Sequence, residues 1–174
     1  MPLTAVLFLR ELYVAGIFMA YLLILVSLTC RNSWVAVRCN RNFKVYAGPT
    51  MIILAVAVTL SGFVVAITGI LAGVMVLVGF GLIGPLLGWQ AWVLIRSGPR
   101  QTSWWLREHF GAMIANGVAT HIAFLQIRLV RLLPDLNLGV IQNLAWVGPL
   151  AVAMLAGFWL HNKYIRNIQT REVR

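Results

Sequence analysis

The chain has 174 residues, 61% of them hydrophobic and only 10% charged, with a mean hydropathy of +0.88. Soluble domains run at about 45–50% apolar and about 25% charged residues, so this composition excludes a water-soluble fold and points to a bilayer as the apolar solvent. The net charge is +10, from 14 Lys and Arg against 4 Asp and Glu. The basic residues stand in short segments between apolar runs, where they read as orientation signals and headgroup contacts and argue against a nucleic-acid partner.

A membrane-crossing helix needs about 20 mostly apolar residues. Residues 12–30, LYVAGIFMAYLLILVSLTC, supply the first. Arg10 and Glu11 interrupt the start, no A-x-A site follows, and Thr29 stands where a lipoprotein signal has a small Gly or Ala. The span is therefore expected to stay attached. Cys30 and Cys39, the two cysteines, form no CxxC motif and are expected to be reduced thiols at the cytoplasmic face.

Residues 50–95 carry no charged side chain, a run too long for one span and right for two. The natural break is Ala72–Gly73, giving spans at about 50–71 and 74–95 joined by a very tight turn. The fourth span is expected at about 105–127 and the fifth at about 144–165. Small residues recur at helical spacing in three of them: Gly62, Ala66, Gly69 and Gly73; then Gly81, Gly84 and Gly88 around Pro85; then Gly111, Ala115, Ala119 and Ala123. Such stripes let membrane helices approach closely, within one bundle or between copies in a homo-oligomer or larger complex.

With the N-terminus outside, Arg31, Arg38, Arg41 and Lys44 fall in the first inner loop. Arg96, Arg100 and Arg107 fall in the second, and Lys163, Arg166, Arg171 and Arg174 in the tail. Only Arg10, Arg128 and Arg131 are left outside. The expected object is thus all-α: a single integral-membrane domain over 1–174, a polytopic helical bundle of five spans, N-out/C-in, in the bacterial inner membrane. Trp34, Trp89, Trp92, Trp104, Trp105 and Trp159 gather near its cytoplasmic ends as an aromatic belt would.

The fourth span holds the stretch EHFGAMIANGVATHIAF, which mixes ionisable and amide groups into an apolar run. At 100° per residue His109, Met113, Asn116 and Thr120 share one face, and His121 flanks it. A polar face in hydrocarbon must turn toward other helices or a wet cavity. These five residues are the candidate intramembrane polar pocket, and a simple hydrogen-bonded bridge to a neighbouring helix is the plainer reading. His109 and His121 are about 18 Å apart along the helix, too far to share a metal. His109 and His161 lie at similar depth on sequential helices and form the candidate pair for a haem held between two helices.

Two stretches carry a resemblance. RNFKVYAGPTMIILAVAVTLSG, residues 41–62, takes a basic aromatic–glycine loop into a helix. WWLREHFGAMIANGVATHIAF, residues 104–124, opens a later helix with Trp, Arg, His and Met. Together they resemble a large family of bacterial multipass membrane proteins of unassigned activity. The resemblance implies a multipass helical fold and assigns no reaction. That family commonly has a histidine in its first loop, whereas the first histidine here is His109.

Glu11, Glu108, Asp135 and Glu172 are the four acidic residues, none paired within a span, and HExxH, nucleophile-elbow and phosphate-loop motifs are absent. The expectation is a non-enzymatic membrane component with a polar pocket on its fourth helix. The alternatives are a haem- or quinone-binding redox subunit and a small transporter or channel subunit.

Overall fold

The computed structural model describes residues 2–99, 103–132, 137–160 and 162–163. Among the described residues there is no strand, and the helices in order are α1 (Pro2–Arg38), α2 (Phe43–Tyr46), α3 (Pro49–Ala72), α4 (Met75–Ser97), α5 (Trp104–Leu132) and α6 (Leu138–Leu160). Among the described residues three are long and apolar enough to cross a membrane: α1 over Leu12–Arg38, α3 and α4. Among the described residues α6 contributes the apolar stretch Leu144–Leu160.

Helix α1 runs eight residues past the expected end of the first span. No Gly or Pro occurs between Gly16 and Gly48 to stop it, and Ser33 and Ala36, three residues apart, are buried along one side. Arg31 and Arg38 consequently stand on a helix rather than in a loop. The chain turns through residues 39–42, where the Asn42 side chain caps α2 by accepting from the Val45 N–H at 3.3 Å. Gly48 and Pro49 then start α3, with proline at the first helical position where its missing N–H costs nothing.

The α3–α4 turn falls at Gly73 and Val74. Gly73 has φ +73°, the left-handed conformation glycine tolerates best, and Val74 N–H bonds to Gly69 O at 2.9 Å across the helix end. The charge-free run therefore folds back on itself where the sequence places the break.

The chain forms two compact units. One joins α1 up to Arg31 with α2, α3 and α4. Here the glycine stripes bring α3 and α4 backbone to backbone. A Cβ on Gly62 would stand 2.6 Å from Gly81 O and 2.7 Å from Pro85 Cδ, and one on Gly81 would stand 2.5 Å from Ala66 N. Pro85 explains part of this geometry. It has no N–H for the Gly81 carbonyl, and α3 packs Gly62 against that exposed oxygen. Tyr21, Leu25 and Leu28 of α1 pack with Val58 and Val65 of α3 into the core of this unit. The Tyr21 hydroxyl donates to Phe80 O at 2.8 Å, and Phe18 meets the Phe80 ring edge-on.

The other unit joins residues 32–40, the end of α1 and the start of the turn after it, with α5 and α6. Among its described residues Ala36 of α1, Trp104, Ala112 and Ile122 of α5, and Ile141 and Ala145 of α6 are buried. Gly111 and Ala115 of the expected small stripe are exposed instead, and nothing lies within 4 Å of where a Gly111 Cβ would be. Trp104, expected in the aromatic belt, is buried at the first turn of α5, whereas Trp34, Trp89, Trp92 and Trp159 are exposed.

Candidate functional site

His109 sits in the second turn of α5, half-buried. Its Nδ1 lies 3.1 Å from Ser33 Oγ and 3.0 Å from Ser33 O. The carbonyl oxygen can only accept, so a proton on Nδ1 satisfies this contact and leaves the lone pair on Nε2. Asn116 is half-buried, and its backbone carbonyl accepts from Thr120 Oγ1 at 2.9 Å. His121 Nδ1 donates to the Gly117 carbonyl at 2.7 Å, and both Thr120 and His121 are exposed. Met113 is exposed as well.

Of the five residues expected to form a polar pocket, His109 is thus held by another helix. Thr120 and His121 close onto carbonyls of the preceding turn, which satisfies each polar group without a partner helix. His161, the expected second haem ligand, lies outside the described residues. Among the described residues no group of three or more His, Cys, Asp or Glu stands where a metal ion could be held.

Two features of the first unit were not singled out by sequence. Arg31 reaches back over the α1–α3 connection: its Nη2 donates to Tyr46 O at 2.6 Å and to Thr50 Oγ1 at 3.3 Å, and its guanidinium carbon lies 5.2 Å from the centre of the Tyr46 ring. Tyr46 is fully buried. One cation so ties α1, α2 and the first turn of α3 together. The available signal was a lone arginine ending an apolar run just before the aromatic–glycine loop NFKVYAGP.

The second feature is an open groove of about 520 Å³ along α3 and α4. Val56, Leu60 and Phe63 line it from α3, and Trp89, Trp92 and Ile95 from α4. It exists because Gly88 carries no side chain: a Cβ there would collide with Thr59 Oγ1, so the helices close at this point and their larger neighbours stand up on either side. The signal was the spacing of Pro85, Gly88, Trp89 and Trp92, which share one face of a helix. No family model, curated protein or solved structure matches this chain.

Proposed function

We propose that this protein is a non-catalytic component of the bacterial inner membrane with five spans, α1, α3, α4, α5 and α6, oriented N-out/C-in. In this reading it acts by binding and association, and the polar face of α5 serves first to hold helices together. The observation that carries it is the disposition of His109 and Ser33. A serine and a histidine at hydrogen-bond distance suggest nucleophile and base, yet Ser33 is only 6% exposed and sits within a continuous helix. A nucleophile has to present its oxygen to a substrate, and this one is enclosed.

The test is a fluorophosphonate probe on the purified protein in nanodiscs. No labelling is expected. Labelling that disappears in Ser33→Ala would assign a hydrolytic serine and overturn the reading. The exposed small stripe at Gly111 and Ala115 is, in the same proposal, the face that meets a second copy or a larger complex.

One observation favours a cofactor reading as the second choice. With Nδ1–H bonded to the Ser33 carbonyl, His109 has Nε2 in the form a haem iron requires, with His161 as the proposed partner. Protein expressed with haem supplied would then show a Soret band that His109→Ala abolishes. A spectrum without that band eliminates this alternative.

A further inference from the structure

We propose that the α3–α4 groove holds an acyl chain of an anionic phospholipid whose headgroup is bound at the Arg96 end; the inference rests on the membrane-embedded reading above. The groove has the size of a small-ligand site, about 300–1,000 Å³, and its long walls are apolar and aromatic. Its two ends differ in charge. At the far end the hairpin turns at Gly73 and Val74 with no ionisable group. At the near end Ile52 and Ile95 line the groove, and the next residue is Arg96.

Arg96 follows Trp89 by seven residues and Trp92 by four, which places it on the groove face of α4. Its guanidinium carbon lies 5.3 Å from the centre of the Trp92 ring, so the charge is held directly beyond the apolar wall. The first turn of α3 stands at the same end, with Arg31 bonded to Thr50. No Asp or Glu occurs anywhere between Glu11 and Glu108. The segment that forms the groove therefore gathers basic side chains at one end and supplies no carboxylate of its own. An acyl chain fills the apolar length, and a phosphate with net negative charge matches that end. A zwitterionic headgroup brings its own ammonium into the same field, and a neutral quinone uses the groove without the cations.

The full chain, reconstituted in nanodiscs, is titrated with phospholipid brominated on its acyl chain, and quenching of tryptophan fluorescence is followed. Phosphatidylglycerol should quench at a lower mole fraction than phosphatidylcholine. The difference between protein with and without Trp89→Phe isolates the groove signal. Arg96→Gln should reduce the phosphatidylglycerol preference about fivefold, the effect of one basic residue near a headgroup, and Arg96→Lys should keep most of it. Val56→Phe, at an exposed lining position, should reduce quenching at Trp89 by both lipids.

Equal quenching by the two lipids, or a preference untouched by Arg96→Gln, overturns the proposal. Brominated quinone analogue that quenches Trp89 more strongly than phosphatidylglycerol also overturns it and assigns the groove to a neutral amphiphile. No quenching by any lipid would instead sink the membrane-embedded reading, so the two failures are separable. The comparison of lipids on the unaltered chain stands even if a variant fails to fold.

Discussion

At the residue scale, the most constrained positions are the glycines of the α3–α4 hairpin. Bilayer lipid is as apolar as leucine, so helices gain little from burying side chains and depend on close packing and interhelical hydrogen bonds. Gly81 illustrates what that demands: its Cα faces the Ala66 backbone, and a Cβ would stand 2.5 Å from Ala66 N and 2.8 Å from Ala66 Cα. A main chain cannot rotate away as a side-chain tip can. Gly81→Ala should therefore destabilise the protein by about 1–3 kcal/mol, the range for overpacking. Gly79→Ala, two residues away and open on all sides, should be neutral or slightly stabilising. Unfolding of the two variants in detergent checks the contrast.

The Ser33–His109 contact belongs to the same scale and has a smaller effect. Interhelical hydrogen bonds in membrane proteins average about 0.6 kcal/mol, with a maximum of about 1.7. A double-mutant cycle of Ser33→Ala and His109→Ala should give a coupling energy in that range. A coupling of zero would show that the two side chains stabilise the fold independently. Thr120→Val and His121→Leu should cost less, because each replaces a bond made only to its own helix.

At the scale of elements, helix ends follow a common device. Aromatic and basic residues four apart meet at three of them: Trp92 with Arg96 on α4, Phe124 with Arg128 on α5, and Trp159 with Lys163 just past α6, the last pair 4.4 Å apart. A cation over the ring one turn earlier carries its stem along apolar surface and its charge toward water, and it complements the negative end of the helix dipole. Arg31 works differently. It sits within α1 and ties the α2 connection to the start of α3, so its loss should be felt as loosening of that segment. Hydrogen exchange over residues 42–50 should accelerate in Arg31→Gln by the equivalent of about 1.5 kcal/mol, a typical value for a hydrogen bond from a charged group. Arg31→Lys should restore only part of the protection, since an ammonium cannot fork between Tyr46 O and Thr50 Oγ1 while covering the Tyr46 ring.

At the scale of the whole molecule, orientation is the testable consequence of charge. The proposed N-out/C-in arrangement puts Cys39 and the C-terminal tail in the cytoplasm. In a Cys30→Ser background, a membrane-impermeant maleimide should label Cys39 in inverted vesicles and leave it unlabelled in intact spheroplasts. The reverse pattern would invert the topology. The exposed α5 stripe gives a second whole-molecule prediction. Ala115→Cys should form a disulfide-linked dimer on mild oxidation in membranes, and Met75→Cys, at an exposed position beside the hairpin turn, should not.

Much of the architecture was legible because its causes are local. The hydropathy of 12–30 and 50–95 announces apolar helices, and Gly73 marks the turn because a left-handed residue after an uninterrupted helix favours glycine. The small residues of α3 and α4 recur at the spacing that close packing needs. The end of α1 lies beyond the expected one because positive charge does not by itself make a loop: arginine is a good helix former, and nothing between Arg31 and Arg38 breaks a helix.

Sequence by itself determined the class of molecule, the position of the hairpin and the face along which its helices meet, since composition, turn chemistry and periodicity act within a few residues. Tertiary structure decided which partner each polar group took. His109 found Ser33, 76 residues earlier in the chain, while Thr120 and His121 closed onto their own helix and Gly111 and Ala115 of the α5 stripe stayed exposed. It also decided that Gly88 would open a groove beside Trp89 and Trp92. Those outcomes depend on which surfaces meet across long chain separations, and helical periodicity names a face without naming what lies against it.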